Sequence, residues 1–216
     1  MKIGVFDSGR GGQAVADRLA ELLPQAQVVT AHDHKNVPYG SRTPEEVHRL
    51  TDRAIQPLLK DCDVVVLACN TATAAAIEQL RADYPQMPFV GLEPMVKPAS
   101  SLTRSGRIVV CATPATLASP RYQRLKQTWA GELTVIEPDC SSWAATIEQG
   151  RSADLALSAV VESVETQGAD VVVLACTHYH WIKDAIQAAT GDHVQVLEPS
   201  DAIASQIQRV LAAAGE

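Results

Sequence analysis

Cys69 and Cys176 each close an almost identical run of residues, DVVVLACNT over 63–71 and DVVVLACTH over 170–178. A lone cysteine usually serves as a small buried hydrophobe, and Cys62, Cys111 and Cys140 carry that reading. The repeated pair differs because polar residues of helix-capping type follow at once: Asn70 and Thr71 ahead of ATAAAIEQL, Thr177 and His178 ahead of YHWIKDAI. A thiol at a helix N-terminus faces unpaired amides and the positive end of the helix dipole, which is expected to lower its pKa toward neutrality. The same amides seat a carboxylate. Two such thiols, symmetrically disposed, suit acid–base chemistry on opposite faces of one tetrahedral carbon. One thiolate removes a proton, the partner thiol delivers another, and the centre inverts. No cofactor is needed where water is excluded and the developing carbanion is stabilised.

The elements that must position these thiols are legible as alternation. The apolar runs KIGVF, AQVVTA, DVVVLA, PFVGL, RIVVCA, LTVIE, DVVVLA and VQVLE are separated by segments such as ATAAAIEQLRADY and DAIASQIQRVLAAA, whose apolar residues recur at helical spacing. The VVVLA runs do not alternate with polar residues, so they read as strands buried on both faces of a parallel sheet flanked by helices. The fold class is α/β. The repetition also reaches beyond the cysteines: GLEP at 91–94 returns as VLEP at 196–199, and KIGVFDSG from residue 2 is matched by RIVVCATPAT from residue 107. Two similar α/β lobes are expected, at 1–95 and 96–197, with 198–216 free to pack on either. Ligands collect at the carboxyl ends of such strands. With the lobes facing each other by pseudo-twofold symmetry, the thiols meet across one cleft.

Composition excludes other classes. A net charge of −7 argues against a broad nucleic-acid footprint; the five basic residues from Arg104 to Lys126, with no acidic one among them, read as a solvated face. Five cysteines without a CxxC pair disfavour a disulfide framework and a structural zinc site. The apolar strand at the N-terminus shows no export signal, and no run approaches the ~18 apolar residues that span a bilayer. A cytoplasmic protein with free thiols, bound to neither membrane nor nucleic acid, is the expectation. SGRGG after Asp7 lacks the G-x-G-x-x-G spacing and the P-loop lysine, which argues against a nucleotide. Asp7 ends the first strand, so its carboxylate can point into the strand-end site; the structural alternative is that Asp7 or Ser8 caps the next helix.

IGVFDSGRGG at 3–12, VPYG at 37–40, ACNTATA at 68–74, ATPAT at 112–116 and ACTHY at 175–179 together resemble the motif set of the cofactor-independent glutamate racemases of the aspartate/glutamate racemase superfamily. The resemblance runs in order over almost the whole chain. It implies two lobes with the site between them, a C-terminal segment returning to the first lobe, interconversion of L- and D-glutamate for peptidoglycan, no cofactor or metal, and a homodimer. By position it makes Cys69 and Cys176 the catalytic bases. Asp7 and Ser8 would hold the substrate amine and tune Cys69, and Tyr39, Gly40, Asn70, Thr71, Thr116 and Thr177 would line the carboxylates. His178 would assist Cys176, with Glu148 as the partner of the histidine.

CSSWAAT before Glu148, CTHYH after Cys176 and AHDHKNVPYG before Tyr39 depart from the usual family pattern. They leave aspartate racemisation as the nearest rival. A thiol hydrolase, with Cys176 as nucleophile, His178 as base and Glu148 as orienter, is a second class of reading, which leaves Cys69 unexplained. A silent binding protein for acidic amino acids is a third. A Cys/His metal site is disfavoured by ligand spacing.

Overall fold

A computed structural model describes residues 1–214 of the 216-residue chain. The elements alternate in the order β1 (Lys2–Asp7), α1 (Gly12–Leu22), β2 (Gln27–His32), α2 (Pro44–Asp61), β3 (Val64–Leu67), α3 (Asn70–Asp83), β4 (Phe89–Gly91), α4 (Val96–Leu102), β5 (Arg107–Ala112), α5 (Pro114–Ala118), α6 (Pro120–Trp129), β6 (Thr134–Ile136), α7 (Trp143–Glu148), α8 (Ser158–Glu165), β7 (Val171–Ala175), α9 (Lys183–Thr190), β8 (Gln195–Leu197) and α10 (Ser200–Ala214). Short 3₁₀ turns lie at Tyr39–Ser41, Ser152–Asp154 and Thr177–Ile182. Each of the eight apolar runs picked out of the sequence forms a strand.

The strands make two four-stranded sheets, ordered β2-β1-β3-β4 and β6-β5-β7-β8, with every pairing parallel. The repeated sequence is therefore a repeated topology. The chain divides into two compact units: residues 1–93 with the segment from Pro199 onward, and Pro94–Glu198.

In the first unit the two faces of the sheet bury different residues of the same strands. Val65 and Leu67 pack with Val47, Leu50 and Ile55 of α2 and with Ala76, Ile77 and Leu80 of α3. Val64, Val66 and Ala68 pack on the opposite face with Val15 and Leu19 of α1 and with Ile203 and Ile207 of α10. A strand covered by helices on both sides has no use for polar alternation, which is why VVVL is uniformly apolar and wholly buried.

The second unit repeats the arrangement. Cys111, Val172 and Leu174 pack with Trp143 and Ile147 of α7, Val160 of α8 and Ile186 of α9. Val110, Val171 and Val173 pack with Val96 and Ala99 of α4 and Tyr122 of α6. In chain order, α4 follows the last strand of the first sheet yet belongs to the second unit, and α10 follows the last strand of the second sheet yet packs in the first. Each sheet is covered on one face by a helix that the other repeat's last strand leads into.

No helix among the described residues is long and apolar enough to cross a membrane. Of the basic residues from Arg104 to Lys126, Arg104, Arg107 and Arg124 are exposed and Arg121 and Lys126 half-buried, the solvated stretch that the sequence suggested.

Thr51 of α2 is fully buried, and its hydroxyl has no hydrogen-bond partner among the described residues. An unsatisfied buried hydroxyl destabilises by about 1–3 kcal/mol. Thr51→Val replaces it with a methyl of similar shape, so thermal unfolding should show a stability gain of about 1 kcal/mol, an upward shift of roughly 2–4 °C. A lower midpoint would contradict this account.

Candidate active site

In the first unit, the pairing of Phe6 with Leu67 and the bond from the Ala68 amide to the Phe6 carbonyl bring the ends of β1 and β3 side by side. Asp7 and Ser8 consequently lie beside Cys69. The Cys69 sulfur caps α3, accepting from the Ala72 amide at 3.4 Å, and lies 3.4 Å from Ser8 Oγ. Asp7 is fully buried, and its Oδ2 accepts from the Gly9 amide at 2.9 Å. Helix α1 begins hard against this carboxylate: a Cβ on Gly12 would stand 2.3 Å from the Asp7 Cβ, so position 12 admits only glycine without displacing Asp7.

Asn70 opens α3. It is 5% exposed, and neither its amide nitrogen nor its amide oxygen has a hydrogen-bond partner among the described residues. Thr71 and Thr73 are buried on the same turn, Thr73 donating to the Leu67 carbonyl at 3.0 Å. Tyr39 packs in the same apolar cluster as Cys69 and Ala72, and its hydroxyl donates to Asp33 Oδ2 at 2.8 Å. Burial first, and the Asp33 bond second, raise the Tyr39 pKa, so it remains a neutral donor. Gly40 is half-buried next to it.

In the second unit the equivalent pairing sets Ala112 against Ala175, and Cys176 follows. Its sulfur lies 3.7 Å from His178 Nδ1, while His178 Nε2 is 2.6 Å from Glu148 Oε2. A carboxylate at that distance accepts a proton from Nε2, and in the neutral ring Nδ1 is then the acceptor that faces the thiol. Glu148 ends α7, and α7 is fastened to the 177–182 turn by Tyr179: its hydroxyl donates to the Cys140 carbonyl at 3.0 Å, and its ring meets Trp143 edge-on at 5.3 Å. Beyond β5, Thr113 caps α5, accepting from the Thr116 amide at 3.3 Å, and its hydroxyl is 3.1 Å from that of buried Thr116. Thr177 is buried too.

Comparison with known proteins bears on what this machinery serves. A model of the Asp/Glu/Hydantoin racemase family matches residues 3–207. The chain belongs to that family. Glutamate racemase of Ectopseudomonas mendocina is 39% identical over 97% of this chain and 81% of its own length. Among solved structures, Escherichia coli glutamate racemase in complex with L-glutamate and an activator is similar with a TM-score of 0.86 at 26% identity, covering 98% of this chain and 82% of that one. Glutamate racemase of Aquifex pyrophilus is similar with a TM-score of 0.74 at 33% identity, covering 97% and 84%.

Within the family frame, the structure gathers Asp7, Ser8, Tyr39, Asn70 and Thr71 around Cys69, and Glu148 and His178 onto Cys176. Three local expectations need correction. Cys69 itself caps α3, so Asn70 is the first helical residue and its side chain is not used as a cap. Cys176 makes no capping bond with its side chain and is followed by a 3₁₀ turn, the α-helix beginning only at Lys183, while His178 within that turn reaches Glu148. Finally, the Cys69 thiol is not lowered toward neutrality. Burial, and then the Asp7 carboxylate, push it up to about 11 against the opposing pull of Ser8 and the Ala72 amide.

The sequence reading missed the residues that hold others in place. Asp33, which orients Tyr39, also receives the Asn36 amide at 2.9 Å; an Asp and an Asn three apart before a proline are a turn signal that could have found it. His32 Nδ1, 2.9 Å from the Gly9 carbonyl, ties down the Asp7 loop. Thr113 was legible as a cap from Thr-Pro-Ala-Thr. Tyr179 and Trp143 carry no local signal for the clamp they form.

Because folding suppresses ionisation of Cys69, its thiol leaves stability untouched below about pH 8.5, where it is protonated in both folded and unfolded chains. Stability is then lost progressively between about 8.5 and 11, by roughly 3 kcal/mol. Denaturation of the native chain and of Cys69→Ala across this range should show the variant losing less stability as pH rises; parallel curves would refute the assignment. Gly12→Ala should lower stability by about 1–3 kcal/mol in urea unfolding, since Asp7 must move to admit the methyl.

Proposed function

We propose that the chain is a cofactor-independent racemase interconverting L- and D-glutamate, with Cys69 and Cys176 exchanging protons with the α-carbon from opposite faces. The observation that carries this reading is a duplicated strand end bearing a cysteine twice, each with a different proton partner: Ser8 and Asp7 for one, the His178–Glu148 pair for the other. Glutamate, rather than the aspartate rival, is the substrate because the relatives named above are glutamate racemases.

The chemistry follows from those partners. His178 Nδ1 takes the proton of Cys176, which makes a thiolate able to remove the α-proton. Cys69, kept protonated by burial and by Asp7, delivers a proton to the other face. In the reverse direction the two exchange roles. The substrate carboxylates are read onto Asn70, Thr71, Thr116 and Thr177 with Tyr39 and Gly40, where the unpartnered Asn70 amide supplies both a donor and an acceptor. Helix α3 turns its N-terminal amides the same way. Asp7 is assigned to the substrate amine. By this reading the D-enantiomer is made in the cytoplasm for peptidoglycan, by a homodimer.

Incubation with L-glutamate in heavy water should produce D-glutamate carrying deuterium at Cα, followed together by optical rotation and mass spectrometry. Cys69→Ala and Cys176→Ala should each reduce the rate by about 10²–10⁴-fold or more. L-aspartate, one methylene shorter, should be a poorer substrate by about 10–200-fold. Full turnover in Cys69→Ala, or product without deuterium, would sink the two-thiol reading.

A further inference from the structure

The two thiols have unlike surroundings. Cys69 is met by the Ser8 hydroxyl and by the backbone amides of Ser8 and Ala72, beside the Asp7 carboxylate. Cys176 has an imidazole at 3.7 Å whose far nitrogen is held at 2.6 Å by a carboxylate. All three members are largely sequestered: Cys176 is 7% exposed, and the side chains of His178 and Glu148 are 5% and 17% exposed. The Tyr179 and Trp143 contacts fix the helix that carries Glu148. All of these residues belong to the second unit.

A thiol, an imidazole whose bare nitrogen faces it, and a carboxylate fixing the tautomer form the arrangement of a nucleophilic cysteine. We infer that the Cys176–His178–Glu148 relay is also competent in acyl transfer, hydrolysing small activated esters and thioesters through a thioester on Cys176. His178 takes the thiol proton as Sγ attacks the acyl carbon and the C–S bond forms. The bond from the acyl carbon to the leaving oxygen or sulfur then breaks, and the leaving group departs with the proton from His178. In the second half His178 takes a proton from water, the hydroxide adds to the thioester, the C–S bond breaks, and the carboxylic acid leaves as the thiol recovers its proton. Water is the sole co-reactant, and nothing is oxidised or reduced.

The racemase reading is not a premise here, since Cys69 plays no part in acyl transfer. That independence sets the experiment. The purified full chain is mixed with para-nitrophenyl acetate, release of para-nitrophenol is followed, and the acetyl adduct is located by peptide mass spectrometry. The expected result is a burst of about one equivalent followed by steady turnover, with the adduct on the peptide containing Cys176. Cys69→Ala should retain this turnover while losing racemisation. Cys176→Ala should lose the burst. His178→Asn should slow turnover by about 10²–10⁴-fold, leaving the acetyl group on the sulfur, because no base then activates water. Glu148→Gln should lower turnover and shift its pH profile, a change that a purely structural role would not produce. Stoichiometric acetylation without turnover, an adduct confined to other residues, or turnover that survives Cys176→Ala would each overturn the inference. Adduct mapping on the native chain keeps the test decisive where a variant fails to fold. The racemase reading fails separately, by its own measurement in heavy water.

Discussion

The parallel register between the two central strands of each sheet is the constraint on which everything else depends. Phe6 opposite Leu67, and Cys111 opposite Leu174, set how far each strand extends past its neighbour. The residues that emerge together at the carboxyl end follow from that alone: Asp7, Ser8 and Cys69 in one unit, Thr113 and Cys176 in the other. A slip of one residue in either pairing would exchange the two faces of a strand. Because both faces are buried against different helices, such a slip would disturb two cores at once, and the register is correspondingly well specified.

The two units also show how duplication can yield unlike chemistry from like backbones. Cys69 and Cys176 occupy corresponding positions, as do Ser8 and Thr113. Their neighbours do not correspond in kind. Where the first unit has Asp7 the second has Ala112, and where the second has His178 the first has Thr71. One sulfur is therefore held as a thiol by burial and a nearby negative charge, and the other is offered a base. In the proposed racemisation, proton exchange at carbon needs one donor and one acceptor at any instant, and these unlike surroundings suit the two roles.

Polar groups at these strand ends are buried at a cost. The Asn70 amide has no partner among the described residues although it is almost wholly buried, and Asp7 sits fully buried beside a thiol whose ionisation it opposes. The surrounding packing offsets that cost. Four helices cover the first sheet, and the exchange of α4 and α10 between the two repeats ties each unit's cover to the other repeat's last strand. The unpartnered Asn70 amide lies where function is proposed, as expected of a site whose complement is a ligand rather than the protein itself, whereas the unpartnered Thr51 hydroxyl belongs to helix α2.

Local pattern determined the α/β class, the positions of the eight strands, the internal repeat and the cysteines that end its strands, because burial on both faces of a parallel sheet writes an uninterrupted apolar run into the sequence. It also made Thr113 readable as a cap from its own tetrapeptide. Contacts between distant residues were decided by tertiary structure alone. Nothing in the twenty-nine residues between Glu148 and His178 states that they form a hydrogen bond; that depends on the Tyr179–Trp143 clamp. The protonation of Cys69 was misread for the same reason. A helix N-terminus is visible in sequence and favours a thiolate, but near-complete burial beside Asp7 arises only when β1 and β3 pair, and in a medium of low polarity that desolvation outweighs the helix.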